Sequence, residues 1–456
     1  MRARNLVTAN VGRWSAVAIG FAVLAGPFLP SLDNGQVWML RLAALTGVGL
    51  LMAVDGRSGR LLINPLFLLI VSALVFYSLV PAAVIPLLYG PVESLGPGLD
   101  PKFFRFAGGH IPIPSPNEMA FLRLLPGSPG EVMVLGFVGW ATALLSMLGL
   151  WPPRAEPEPE QEKGRGMVWA WVALLGAGLS YQFGKRFPDQ PSGMLLSLLD
   201  SLVPAVLLAM AMLWLRSRKL WHSVAAVLVG MALLYPFMLK AALLFTGLAI
   251  MHFLLTLRGR SLVLAIGLTA LIPLLGGMAV GMSKNMPTLI DALQQKIVLR
   301  QGDTVFCLNF VQRQPADGES PFYMFGALVP RVLWPDKPSL SNGGDYARRY
   351  CGMGNTVHHS ASVTLLGEPL ARAGGWGMVV AGAIMTILFA SVTWAVRRGG
   401  RAQIVVFALA PYVIDFDQLF GMYLALLIRG VMVASVVLIL IEIMSRSGPG
   451  HHTNSG

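Results

Sequence analysis

Charge is scarce in this sequence. Only 12% of its 456 residues are Asp, Glu, Lys or Arg, whereas a soluble globular domain usually carries about 25%. So few charges cannot cover a surface that faces water, which excludes an ordinary soluble protein. The hydrophobic fraction of 55% predicts instead that lipid surrounds most of the chain.

Motifs for metals and nucleotides are also missing. The sequence contains no HExxH, no paired CxxC and no GxxxxGK[ST], the patterns that hold zinc or nucleotide phosphates. The formal net charge of +12 lies largely in short clusters between hydrophobic runs, which is typical of membrane topology rather than of nucleic-acid binding. We expect no metal, no cofactor and no nucleic-acid partner.

Hydrophobic runs are what the sequence has in abundance. A run of about 20 residues crosses a bilayer core of about 30 Å, and it must be helical because lipid offers no partner to the backbone. We therefore predict an all-α polytopic membrane protein with about twelve transmembrane helices. The runs cover residues 14–30, 37–54, 61–89, 131–151, 167–183, 194–215, 221–239, 241–257, 261–282, 373–396, 402–416 and 421–444.

Charge in the connections predicts the orientation. With both termini inside, the basic clusters at 55–60, 216–219, 258–260 and 397–401 all fall on the inner side, as the positive-inside rule requires. Three parts follow from this topology. They are a bundle of nine spans (1–282), a large outer loop (283–372), and three further spans with an inner tail (373–456).

The outer loop contains both cysteines, Cys307 and Cys351. Disulfides form and persist outside the cytoplasm, so a pair confined to one outer loop predicts a bridge. The alternative is two unpaired, buried thiols.

Cations are unexpectedly frequent in the same loop. Connections longer than about 15 residues are usually functional or disordered, and the many aromatic residues of this one favour a folded, functional loop. Arg and Lys bind phosphate groups well, so the cations predict a phosphate-bearing ligand; the alternative is salt bridging to the carboxylates nearby. The cations are Lys284, Lys296, Arg300, Arg313, Arg331, Lys337, Arg348, Arg349 and Arg372.

Four ionisable residues fall within or at the ends of spans, where burial is costly. They are Arg41, Asp200, Lys240 and Arg429, and the predicted topology brings all four toward the outer leaflet. We expect a polar cavity open to the outside, with Arg429 functional and Arg41 snorkelling to the interface. His252 is predicted to be a packed histidine with a satisfied hydrogen bond.

Four segments resemble one protein family. ALVPRVLWPDKP (327–338) is similar to the PR-x-x-WP-x-KP signature in the outer loop of bacterial oligosaccharide repeat-unit polymerases, the O-antigen polymerase (Wzy-like) group. GGDYARRY (343–350), HHSASVTLLGEPLARAGGWGMVVAG (358–382) and YPFMLKAALLF (235–245) resemble further family segments. The chain departs from the family at Pro369–Leu370 and Gly374–Gly375, where an aromatic residue and an FG pair are common.

The resemblance implies a GT-C-like glycosyltransferase architecture and a metal-independent enzyme. Such polymerases join polyprenyl-pyrophosphate-linked oligosaccharide repeats on the periplasmic face of the bacterial inner membrane. The implied partners are that lipid-linked substrate, the bilayer and a chain-length regulator. Alternatives are an O-antigen ligase-like transferase and, in another class, a polysaccharide transporter or flippase.

The resemblance implies roles for specific residues. A general base must deprotonate the acceptor hydroxyl, and the candidates are Asp345, His358, His359 and Glu368. Cations must stabilise the departing pyrophosphate. The candidates for that role are Lys240, Lys284, Arg331, Lys337, Arg348, Arg349 and Arg429.

Overall fold

A computed structural model of the protein describes residues 2–29, 32–55, 61, 64–83, 127–150, 165–186, 199–217, 219–235, 237–258, 300–329, 349–350 and 363–446. These residues form helices and connections, and no strand occurs among them. The helices are α1 (Arg2–Leu24), α2 (Asn34–Asp55), α3 (Pro65–Leu74), α4 (Pro129–Leu150), α5 (Arg165–Arg186), α6 (Leu202–Arg216), α7 (Leu220–Leu234), α8 (Leu239–Arg258), α9 (Arg300–Arg313), α10 (Thr364–Arg398), α11 (Gly400–Val413) and α12 (Phe420–Arg446).

Six stretches of helix are long and apolar enough to cross a bilayer: Asn10–Phe28, Asn34–Val54, Pro65–Ala83, Pro129–Leu150, Thr364–Arg398 and Phe420–Ser445. Four shorter apolar helices accompany them: Leu202–Arg216, Leu220–Leu234, Lys240–Phe253 and Gly400–Val413. The chain is therefore an α-helical membrane protein, which confirms the fold class at that level. The predicted span 261–282 lies outside the described residues.

The helices pack around two hydrophobic cores. The first is formed mainly by α2, α3, α4 and α10, and the second by α5, α6, α7, α8 and α11. Helix α12 contributes Tyr423 to the first core and Leu438 to the second. Helices α1 and α4 cross at Gly20 and Gly139, where a Cβ added to either glycine would lie 2.6 Å from the carbonyl oxygen of the other. Such glycine contacts let membrane helices approach closely.

Charged contacts mark the two ends of the bundle. We call the end at which α2, α4, α8 and α12 begin the upper end, and the opposite one the lower end. At the lower end, Arg397 donates to the carbonyl oxygen of Leu148 at 2.5 Å. Arg401 and Arg216 approach Glu442 there at 2.6 and 3.7 Å. All other charged contacts described below lie at the upper end.

The turn after α11 sits unusually deep. Helix α11 has 14 residues and is about 21 Å long, which is shorter than a bilayer core of about 30 Å. It starts directly after α10 at the lower end. The turn formed by residues 414–419 therefore lies below the upper end of the bundle, where Phe416 packs against Phe137 of α4, and its polar side chains need protein partners at that depth.

Helix α10 is broken at Gly374. This glycine has φ 61° and ψ −146°, a conformation that side chains with a Cβ rarely adopt. The chain reverses there so sharply that a Cβ added to Gly377 would lie 2.3 Å from the carbonyl oxygen of Pro369. Residues 364–373 thus fold back beside the membrane-spanning part and reach the deep turn. The break falls one residue after the predicted start of the tenth span.

Candidate functional site

Lys240 and Asp415 form an ion pair at the deep turn. Lys240, at the start of α8, places its Nζ 2.6 Å from Asp415 Oδ1, and Gln418 donates to Oδ2 of the same carboxylate at 2.9 Å. The Lys240 side chain is 52% exposed, against 12% for Asp415. The ammonium group is therefore accessible, and it can take a second anion besides its protein partner.

Asp417 lies in the same turn and is bound by two hydroxyl groups. Tyr77 donates to Asp417 Oδ1 at 2.5 Å, and Thr304 of α9 donates to the same oxygen at 3.4 Å. Tyr77 belongs to a π-helical segment, Val75–Leu79, at the end of α3. Wide turns of this kind interrupt α-helices frequently at functional sites. Here the segment brings α3 into contact with the deep turn.

Glu368 is fully buried beside the deep turn. Its Oε2 accepts the backbone N–H of Gly421, in the first turn of α12, at 2.9 Å. Its Oε1 lies 3.5 Å from Arg372 Nε, one helical turn further on. The chain enters this segment through Thr364, which has φ 66°, a strained value for a β-branched residue. The folded-back segment thus holds Glu368 against the start of α12.

Arg372 connects Glu368 to the loop after α9. It donates to Glu319 at 2.9 Å and lies over the Tyr323 ring at 4.8 Å. Two backbone bonds of 2.9 Å, from Asp317 N–H to the Ala371 carbonyl and from Glu319 N–H to the Arg372 carbonyl, fasten the same loop to α10. One guanidinium therefore organises two carboxylates and an aromatic ring.

Asp317 continues this network outward. Tyr350 donates its hydroxyl to Asp317, and Arg349 approaches the same carboxylate at 3.0 Å with a side chain that is 62% exposed. Burial, together with the bond to Asp317, raises the pKa of the Tyr350 phenol above its usual range. Tyr350 packs with Cys307 in a small apolar cluster, and Cys307 is disulfide-bonded.

Arg41 and Glu131 form a closed ion pair at the upper end. Arg41 Nε and Nη2 donate to the two carboxylate oxygens of Glu131, each at 2.7 Å. Ser78 donates to Oε1 at 2.5 Å, and the Gly127 N–H donates to Oε2 at 2.8 Å. Both charged side chains are buried. Arg41 therefore does not snorkel to the interface, and that expectation was wrong because Glu131 provides a buried partner.

Arg429 has a different environment from the other intramembrane cations. It lies half-buried on α12 and, with Asp200 and Tyr181, acts electrostatically on the hydroxyl of Tyr412. Asp200 pairs with Lys185 at 2.8 Å. Within the described residues Arg429 makes no hydrogen bond or ion pair.

The four intramembrane groups predicted to share one cavity thus take separate partners. Arg41 bonds to Glu131, Asp200 to Lys185 and Lys240 to Asp415, whereas Arg429 and Asp200 both lie near the Tyr412 hydroxyl. His252 accepts a bond from Trp214 Nε1 at 2.9 Å, as predicted for a packed histidine.

The structure describes Glu368, Lys240, Arg349, Arg429 and Cys307 among the predicted site residues. The others lie outside its described residues: Asp345, His358, His359, Lys284, Arg331, Lys337, Arg348 and Cys351. Among the described residues no group of three or more His, Cys, Asp or Glu side chains is placed to hold a metal ion.

Several site residues were missed in the sequence. Asp415 falls at the end of the predicted span 402–416 and Asp417 in the short connection after it. Neither is a predicted site residue, although two carboxylates between apolar runs are a signal in themselves. Glu131 marked only the start of a span. Tyr77 gave no signal, because a π-helical segment cannot be recognised in an apolar run.

Comparisons with protein-family models, curated proteins and solved structures found no match to this chain.

Proposed function

We propose that this protein is a membrane glycosyltransferase that polymerises polyprenyl-pyrophosphate-linked oligosaccharide repeat units, as O-antigen and exopolysaccharide polymerases do. In this proposal the chain crosses a bacterial inner membrane about twelve times, with both termini in the cytoplasm. The upper end of the bundle then faces the periplasm, as does the predicted outer loop 283–372.

One observation carries the proposal. The described parts of the segments that resemble the polymerases meet around the deep turn. Lys240, from segment 235–245, pairs with Asp415 in that turn. Glu368, from segment 358–382, bonds to Gly421 just after it. Arg349, from segment 343–350, reaches Asp317 in the loop that bonds to α10. Residues far apart in the chain thus form one polar, cation-bearing region toward the upper end of an apolar bundle.

The reaction needs such a region. The acceptor hydroxyl attacks the anomeric carbon of the donor sugar, and a new C–O bond forms. The bond between that carbon and the pyrophosphate oxygen breaks, and its electron pair leaves with the polyprenyl pyrophosphate. The hydroxyl proton passes to a general base. Cations placed where the negative charge develops lower the barrier.

The structure suggests different roles for the predicted residues. Half-exposed Lys240 and exposed Arg349 suit direct contact with the pyrophosphate, and Arg429 suits an anion drawn deeper into the bundle. Arg331, Lys337, Arg348 and Lys284 remain candidates from the sequence. Glu368 is buried, and both of its oxygens face protein partners, which suits a positioning residue. Asp345, His358 and His359 are the remaining candidates for the base.

Deletion of the gene tests the proposal. Surface glycan from the deletion strain is separated on a gel and compared with that of the complemented strain. Loss of long chains, with a single repeat still attached, is the expected result. Free polymer without attachment would indicate a ligase-like transferase. Loss of all surface repeats, with lipid-linked repeats retained inside the cell, would indicate a flippase, and unchanged glycan would refute a role in its synthesis.

A further inference from the structure

An apolar groove lies between the membrane-spanning part of α10 and the first half of α12. It encloses about 220 Å³. Its floor consists of buried side chains, namely Met385, Phe420, Tyr423 and Leu427. Its walls and rim are more exposed and equally apolar: Ile384, Leu388, Leu424, Ile428, Val431 and Met432.

The described residues that line the groove offer nothing to a polar ligand. Among them Tyr423 alone carries a hydroxyl group, which donates to the Val413 carbonyl at 3.1 Å. The rim residues Val431 and Met432 are exposed and belong to a candidate membrane span. The groove therefore opens sideways into the hydrocarbon of the bilayer. Its occupant there is a hydrocarbon chain, because an empty groove forfeits dispersion contacts.

The upper end of the groove meets the candidate site. Phe420 lines the groove, and the next residue, Gly421, donates its N–H to Glu368. From residue 420 to residue 432 helix α12 advances about 18 Å, more than half of a bilayer core of about 30 Å. A chain lying along the groove thus has one end in mid-membrane and the other beside the polar region.

We propose that this groove binds the polyprenyl chain of the lipid-linked substrate and so places its pyrophosphate at the polar region around Lys240. The inference rests on the proposed function, since that function supplies a substrate with such a chain. The thioether side chains of Met385 and Met432 suit it, because methionine adapts to an irregular, methyl-bearing hydrocarbon.

Filling the groove from its rim tests the proposal. Ile428 is 37% exposed on α12, so Ile428→Trp adds bulk to the groove without opening the buried core. Ile439→Trp is the matched control, because Ile439 is 55% exposed on the same helix and outside the groove. The full-length protein in phosphatidylcholine nanodiscs is titrated with undecaprenyl pyrophosphate and, separately, with farnesyl pyrophosphate.

The effect of the substitution on binding should depend on the length of the polyprenyl chain. Loss of about two buried methylene groups weakens binding by about tenfold, so Ile428→Trp should bind undecaprenyl pyrophosphate at least that much more weakly than wild type. Farnesyl pyrophosphate binding should change less, and Ile439→Trp should match wild type with both probes. Equal binding of undecaprenyl pyrophosphate by all three proteins overturns the proposal. So does competition by phosphatidylglycerol as effective as that of the polyprenyl probe, since the groove would then be an ordinary phospholipid site.

Crosslinking provides a second test should the Trp variant fold poorly. Benzoylphenylalanine at position 431 should capture undecaprenyl pyrophosphate on illumination, and at position 439 it should not. Capture at neither position, or equally at both, contradicts the proposal.

A polymerisation assay separates the two ideas. Suppose that the wild-type protein binds the long polyprenyl probe more tightly than the short one but makes no polymer. That result would leave the groove proposal standing and remove the proposed function. Equal amounts of polymer from the wild-type and Ile428→Trp proteins would leave the proposed function standing and remove the groove proposal.

Discussion

Two polar regions at the upper end of the bundle are built in opposite ways. In the first, Arg41 and Glu131 are both buried, and the carboxylate accepts four hydrogen bonds. A carboxylate offers about four acceptor sites, so nothing is left for a ligand. In the second, around the deep turn, Lys240 has one carboxylate partner among the residues that the structure describes, and half of its side chain is exposed.

The difference separates structural charge from functional charge. A buried ion pair whose hydrogen bonds are all made fixes the packing of α2, α3 and α4. It cannot exchange partners without a large loss of folding free energy. A half-exposed lysine beside a deep turn adds little to stability and can exchange partners readily. We therefore expect substitutions in the first region to act on folding and those in the second to act on activity.

Arg41→Ala should have the largest effect on stability. Removal of one partner leaves Glu131 charged and buried, which costs about 3–5 kcal/mol. The folded fraction after detergent extraction, measured by fluorescence-detected gel filtration over a temperature series, should fall accordingly. Arg401→Ala is the control, since its side chain is 61% exposed and Glu442 keeps Arg216; it should cost at most about 1 kcal/mol. Equal losses in both variants would contradict the comparison.

Lys240→Ala should instead reduce polymer formation. Loss of one group that stabilises developing charge typically costs about 10²–10³ in rate. Asp415 keeps the hydrogen bond from Gln418, so the loss of folding stability should stay below the about 3–5 kcal/mol expected for Arg41→Ala. The rate of polymer formation, normalised to folded protein, measures the effect. Lys219→Ala, an exposed lysine at the lower end, should leave it unchanged. If the Lys240→Ala protein were active but less stable than wild type, the role of Lys240 would be structural, like that of Arg41.

Tyr350→Phe tests the network that joins the outer loop to α10. A hydrogen bond to a charged group contributes about 1.5–3 kcal/mol to folding. Because this pair is only partly buried, we expect the free energy of unfolding to fall by an amount near the lower limit. The folded-state pKa of Tyr350 is raised, so its contribution is complete below the unfolded pKa of about 10 and declines as the pH rises through the folded value. The gap in thermal stability between wild type and variant should therefore be constant from pH 7 to 9 and narrow above about pH 10.

A control for this prediction is Tyr235→Phe, which alters an exposed tyrosine outside the network. It should leave stability nearly unchanged at every pH. A gap for Tyr350→Phe that widens with rising pH would show that the phenol is ionised in the folded state and would refute the assignment.

Arg349→Ala should have the smallest effect. The Arg349 side chain is mostly exposed, and Asp317 keeps the hydrogen bond from Tyr350, so the free energy of folding should change by less than about 1 kcal/mol. Contact with pyrophosphate is screened by solvent here, and we expect polymer formation to fall by only about tenfold. Arg349→Lys should recover part of the rate, because it keeps the charge and loses the bidentate geometry. A loss as large as that of Lys240→Ala would show that the two cations share one enclosed site.

Much of the fold could be predicted from the sequence because lipid imposes strict rules. Eleven of the twelve predicted runs overlap described helices, since a long apolar stretch in a bilayer must be a helix. The predicted boundary between the outer loop and the tenth span lies within two residues of Gly374, because the sequence changes there from polar to apolar. The candidate site was harder to predict. Lys240 was found as a cation inside apolar sequence, but its partner Asp415 lies 175 positions away in the chain, and nothing local links the two.

The sequence by itself thus determined that this is a helical membrane protein with a cation-rich segment between its apolar runs, since hydropathy and charge act residue by residue. Only the tertiary structure decided which charges are closed off and which remain available. Arg41 and Lys240 look alike in the sequence, each a single cation at the edge of an apolar run. Their difference arises from depth and neighbours, because the free energy of a charge near lipid depends on the groups that surround it.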